Sequence, residues 1–216
     1  MAVRATLGAW LLALTACASS AAWYEVMTLH LSTNDGPVAL SQSVAVSFDP
    51  AQVWAGALDS DDVQIAGRAL VVSLGGPVLA VPFDDRTGWR VWRARYALRL
   101  TDTTMGADLQ GVMAQEEALP LPRDLWPALV AFTDPHDAVS LVLVDPTDMA
   151  AVFGQGMMLE RITVQARQEP AAPTTPISAL LPWWGDANVP LGDGIRRSYG
   201  HPLNGLRRRD FVREAS

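Results

Sequence analysis

Val38-Ala39-Leu40-Ser41-Gln42-Ser43-Val44-Ala45-Val46-Ser47-Phe48 decides the fold. Val38, Leu40, Val44, Val46 and Phe48 alternate with Ala39, Ser41, Ser43, Ala45 and Ser47, with Gln42 the one polar interruption of the apolar set. A period of two places every apolar side chain on one side of a pleated strand. Just upstream, Met27, Leu29 and Leu31 alternate within residues 23–33, and Asn34-Asp35-Gly36-Pro37 separates the two runs. Two alternating runs across a short Asn/Asp/Gly turn predict an antiparallel hairpin.

Working outward, residues 63–74 read as a third strand, Gly75-Gly76-Pro77 as a turn and residues 78–83 as a fourth strand. Trp89, Trp92, Tyr96 and Leu100 then recur at three and four residues, which predicts a helix over about 89–99. A second helix is expected over 105–117, ended by Pro120 and Pro122. Strands return at 128–133, 139–144 and 157–167, with a short helix over 149–153 stopped by Gly154 or Gly156. Pro170, Pro173 and Pro176 mark a linker, and residues 177–184 a short docking helix. The expected fold is a single α+β domain, a mostly antiparallel sheet with two or three short helices.

The N-terminus specifies destination. Met1-Ala2-Val3-Arg4 is a short positive segment, followed by eleven largely apolar residues over 5–15. That is too short for a spanning helix of about 20 residues and suits a signal peptide. The run ends in Leu14-Thr15-Ala16-Cys17, which resembles the bacterial lipobox. The resemblance implies that Cys17 receives a diacylglyceryl group, that a peptidase cuts before it, and that the new amine is acylated, with palmitate as the expected chain type. Ala18 after the cysteine, in place of Asp, implies sorting to the periplasmic face of the outer membrane in a Gram-negative cell. The expected organisation is a signal peptide over 1–16, a lipidated tether over 17–22, an α+β domain over 23–169, and a Pro linker, docking helix and Arg-rich tail over 170–216.

Composition narrows the functional classes. The 216 residues are 50% hydrophobic and 18% charged, which suits a packed core. A net charge of −7 argues against a nucleic-acid binder. All 16 cationic residues are Arg, so neither Schiff-base nor phosphate-loop lysine chemistry is available. The single Cys rules out a disulfide framework and a Cys-rich zinc site. No nucleophile-elbow, zincin, phosphate-loop or dinucleotide motif occurs. Catalytic, cofactor and metal residues are therefore not assigned, and Cys17 is the one site residue, for lipidation.

Four constellations remain to be weighed. Asp134-Pro135-His136-Asp137 and Asp145-Pro146-Thr147-Asp148 repeat an Asp-Pro-x-Asp pattern on either side of a strand. Asp before Pro starts turns and caps helices, with Asp145 expected at an N-cap and Pro146 at the first helical position. At about 3.3 Å per residue the two loops should lie about 20 Å apart, too far to share a metal. Asp59, Asp61 and Asp62 form an acidic loop without the full calcium-loop spacing. His30, His136 and His201 are scattered, and Trp89, Trp92, Trp183 and Trp184 suit core packing better than a ligand platform. Residues 196–216 carry six Arg against Asp210 and Glu214, a local charge of +4 on an otherwise acidic chain.

From about residue 125 to 164 the chain resembles a family of uncharacterised, exported bacterial lipoproteins. The matching residues are 127–134, Asp137, Ser140, 144–148, 153–156 and 159–163, with weaker echoes at the first hairpin, 67–74, 181–183 and 204–206. The resemblance implies an exported, lipid-anchored single domain and no particular reaction. The functional expectation is a lipid-anchored envelope protein acting as a binding or assembly module, with the membrane and an envelope protein as partners. The alternative is a periplasmic hydrolase or metal-dependent enzyme using the loops from Asp134 to Asp148.

Overall fold

The computed structural model describes residues 21–48, 63–83, 117–171, 175–189, 191, 203 and 206–213. The expected helices over 89–99 and 105–117, the acidic loop at Asp59–Asp62, Trp89, Trp92, His201 and Cys17 lie outside the described residues.

Antiparallel sheet dominates. Strand β1 (Ala21–Thr33) turns at Asn34-Asp35 into β2 (Gly36–Phe48), and the two pair in continuous register from Ala21↔Phe48 to Thr33↔Gly36. Val44 and Val46 are buried, whereas Ser41 is exposed and Ser43, Ala45 and Ser47 are half-buried, as the alternation requires. Strand β3 (Val63–Arg68) pairs with β2, and β9 (Met158–Arg167) pairs with β1. The short β6 (Leu119–Pro120) and β10 (Val212–Arg213) complete a six-stranded sheet in the order β10-β3-β2-β1-β9-β6. A second sheet holds β4 (Leu70–Ser73), β5 (Val78–Val81), β7 (Leu129–Phe132) and β8 (Leu141–Val144), in that order. Among the described residues the α-helices are α1 (Ala150–Phe153) and α2 (Ile177–Leu180), one turn each. None is long and apolar enough to cross a membrane.

The stretch expected as one strand over 63–74 is two strands in different sheets. The chain leaves the large sheet after Arg68 and enters the small one at Leu70. Gly67 takes φ +146° there, and a Cβ would meet Val44 Cγ1 at 3.2 Å, so a side chain would be crowded against β2. The switch costs ladder partners, and the Gln42 side chain replaces them. Its amide NH₂ donates to the Arg68 carbonyl, while its Oε1 accepts the Leu70 N–H at 2.8 Å. The Ala69 N–H donates to the Phe211 carbonyl. The polar residue that interrupts an otherwise apolar face thus satisfies backbone groups where one strand crosses between layers.

Two apolar layers result. Met27, Leu29, Leu31, Ile162 and Val164 of the large sheet cluster with Leu70, Leu79, Val81, Leu129, Ala131 and Val144 of the small one. On the other side of the small sheet, Val71, Val78, Ala80, Val130, Phe132 and Leu141 meet Ile177, Leu181, Leu191, Leu203, Leu206 and Phe211. The segment after residue 169 therefore covers the small sheet and ends as β10 on the large one, sharing the core of the segment before it.

Candidate functional site

The two Asp-Pro segments flank β8. Residues 138–140 form a 3-10 turn in place of the expected strand start, so β8 has four residues and spans only about 13 Å at 3.3 Å per residue. The segments lie at its two ends, closer than the sequence spacing alone predicts.

Each segment spends its carboxylates on its own backbone. Asp134 Oδ1 accepts the His136 N–H at 2.8 Å, and Asp137 Oδ1 accepts the Val139 N–H at 2.9 Å, capping the 3-10 turn. Ser140 Oγ lies 2.8 Å from the Asp134 carbonyl and 2.7 Å from that of Asp137, and it accepts the Asp134 N–H at 3.1 Å. Trp183 donates its indole N–H to the Pro135 carbonyl at 2.9 Å, tying this loop to the C-terminal segment. At the other end, Asp145 Oδ1 accepts the Thr147 N–H at 2.8 Å and the Thr147 hydroxyl at 2.7 Å. Those bonds, the hydroxyl first and the N–H second, hold the Asp145 carboxyl below the usual carboxylate range.

Asp145 is not the N-cap of α1. It heads a turn, in which the Asp148 N–H donates to the Asp145 carbonyl, and the helix begins later, at Ala150. The capping contact belongs to Asp148, whose Oδ1 accepts the Ala151 N–H at 3.3 Å. The reason is that Asp145-Pro146-Thr147-Asp148 uses a full turn before helical geometry starts, so the second Asp of the pattern reaches the helix and the first does not.

Trp183 and Trp184 pack. Trp183 meets Phe132 edge-on at 5.3 Å between centroids, and Trp184 meets Phe211 edge-on at the same distance. Arg208 from the basic tail lies 5.5 Å from the Trp184 ring centroid. Its guanidinium donates to the carbonyls of Trp184, Asp186 and Val189. This one cation is committed to the fold, while Arg207 and Arg209 are exposed.

A polar face that the sequence motifs did not single out lies on the side of the large sheet away from the small one. Register aligns Thr28 with Ser41 and Thr163, and His30 with Ala39 and Arg161. Thr28 Oγ1 and Ser41 Oγ are 2.8 Å apart, His30 Nε2 and Thr163 Oγ1 are 3.0 Å apart, and the Ser32 hydroxyl donates to Glu160 Oε1 at 2.6 Å. Partial burial, and then the Arg161 charge, push the His30 imidazole below its ordinary value, so it is neutral at pH 7. The serines alternating with valines in β2 were the available signal for this face. These contacts bridge neighbouring strands in separate pairs; Ser32 bonds Glu160 while His30 bonds Thr163. They knit β1, β2 and β9 together and offer hydrogen-bonding groups to solvent, but they do not form a nucleophile–base–orienter chain.

Among the described residues, no three His, Cys, Asp or Glu side chains are grouped so as to hold a metal ion. No family model, no curated protein and no solved structure compared with the chain matches it.

Proposed function

We propose that the chain is a lipid-anchored cell-envelope protein whose domain serves as a binding or assembly module, without catalysis. The observation that carries the reading is Leu14-Thr15-Ala16-Cys17 closing a short apolar run behind Arg4. Diacylglycerol and an amide-linked acyl chain on Cys17 would make attachment durable, because two or more acyl chains are needed for stable anchoring. The Ala18 position favours the periplasmic face of the outer membrane. The non-catalytic half of the reading is supported by the way Asp134, Asp137, Asp145 and Asp148 are occupied as turn and cap acceptors.

Cys17→Ser tests the anchor. The wild-type chain should incorporate labelled fatty acid and fractionate with membranes, and the variant should do neither. A variant that partitions to the membrane as the wild type does would end the lipoprotein reading.

A further inference from the structure

The anchor reading has a geometric consequence for how the domain meets the bilayer, and the inference below rests on that reading. Strand β1 begins at Ala21, four residues after Cys17. Four residues span at most about 14 Å even when fully extended. Part of that reach lies within the lipid headgroup layer, which is about 5–8 Å deep on each side of the hydrocarbon. The start of β1 is thereby confined to the membrane surface. β1 is an interior strand of the large sheet, flanked by β2 and β9. Its antiparallel neighbours bring Ser47 and Phe48 of β2 and Arg167 of β9 to the same end, in the pairs Ala22↔Ser47, Ala21↔Phe48 and Tyr24↔Arg167.

The opposite end of β1 lies about 40 Å away, given 13 residues at about 3.3 Å each. It carries the Asn34-Asp35 turn, which the Asn34 amide fastens to the Gln155 carbonyl at 2.9 Å. Little draws the domain down onto its side. The inner face of the large sheet is covered by the small sheet, and the outer face bears the paired hydroxyls of Thr28, Ser41 and Thr163. Exposed Met158 and Val38 lie beside the far turn, opposite Ser32 and Leu31, rather than at the anchored end.

We infer that the lipid surface lies against the end of the large sheet formed by the start of β1, the end of β2 and the end of β9, and that the Asn34-Asp35 turn is held away from the membrane. Arg167 suits that place: it is exposed, and its long side chain can pair with lipid phosphate while its methylenes lie over apolar neighbours.

The chain's chemistry makes the test simple. Cys17 is the only cysteine and would be consumed by lipid, so Arg167→Cys and Asp35→Cys each add one reactive thiol at an exposed position. The full lipidated proteins are labelled with a maleimide fluorophore and reconstituted in phosphatidylethanolamine–phosphatidylglycerol vesicles containing nitroxide-headgroup lipid. Quenching should be several-fold stronger at position 167 than at position 35. Equal quenching, or stronger quenching at 35, in protein that floats with the vesicles would overturn the orientation and leave the anchor standing. Protein that carries no lipid and does not float would overturn the anchor itself.

Discussion

The two sheets of this molecule bury their strands differently. In the large sheet, β2 hides Gln42, Val44 and Val46 and leaves Ser41 exposed, so neighbouring residues live in different solvents. In the small sheet, all four residues of β5 and all four of β7 are buried, because one face packs on the large sheet and the other lies under the C-terminal segment. The sequences follow suit: alternation in the first, and the unbroken runs Val78-Leu79-Ala80-Val81 and Leu129-Val130-Ala131-Phe132 in the second. A strand covered on both sides has no polar face to encode, even when its partners are antiparallel.

The sharpest way to break this contrast is to place a carboxylate at consecutive positions in each sheet. In β2, Val46→Asp should unfold the domain and Ser47→Asp should be mild. In β5, Leu79→Asp and Ala80→Asp should both be severe, since Leu79 faces the inter-sheet core and Ala80 the layer under Phe211. An unpaired buried carboxylate costs several kcal/mol against a total stability of roughly 5–15 kcal/mol. Thermal or urea unfolding of the four variants checks the pattern. Tolerance of Ala80→Asp would mean that the C-terminal segment does not seal the second face.

That contrast also explains what was legible. The hairpin could be placed from its alternation and turn, and the α+β expectation holds at the level of a mostly antiparallel sheet with few short helices. The division into two layers was hidden at Ala69. A single run over 63–74 carries no mark of a change of sheet; its clue sat 27 residues earlier, in Gln42, as a polar side chain on a face that otherwise wants none. The Asp-Pro segments were legible as turns because the interaction is local to four residues. The assignment of the cap to Asp145 failed for the same reason in reverse: which Asp meets the helix depends on where the turn ends, a matter of register that composition does not encode. His30 and its hydroxyl neighbours come together only through cross-strand pairing, 133 residues apart in the case of Thr163.

The next largest effect belongs to the joint between the sheets. Gln42→Leu preserves bulk but removes both the donor to the Arg68 carbonyl and the acceptor for the Leu70 N–H. A buried backbone group left unsatisfied costs about 1–3 kcal/mol. The variant should therefore lose more stability than Ser41→Leu on the exposed face of the same strand. Gln42→Glu should fall between the wild type and Gln42→Leu if its acidic oxygen still accepts from Leu70. Denaturant midpoints measure the difference, and equal stability for Gln42→Leu and Ser41→Leu would remove Gln42 from the joint.

The smallest effect concerns the loop after β8, where the small sheet gives way to α1. The Thr147 hydroxyl and backbone N–H both donate to the Asp145 carboxylate and favour its ionised form. A folded-state pKa below the unfolded one means that the unfolded chain takes up the proton first as pH falls. The stabilisation is thus fully present above the ordinary carboxylate pKa of about 4, and it fades as the pH drops through the lower folded value. Asp145→Asn should accordingly differ from the wild type near neutrality and converge with it in strong acid. Thr147→Val keeps the backbone donor and removes the hydroxyl, so it should return the Asp145 pKa part of the way upward in a carboxyl-carbon NMR titration. Because Asp145 is fully exposed, salt and water screen the interaction, and the change in melting temperature should be the smallest in the series. Millimolar calcium should leave both the titration and the melting temperature in place, because the acceptor already has its two donors from Thr147. A calcium-dependent shift abolished by Asp145→Asn would instead show that this carboxylate binds a cation.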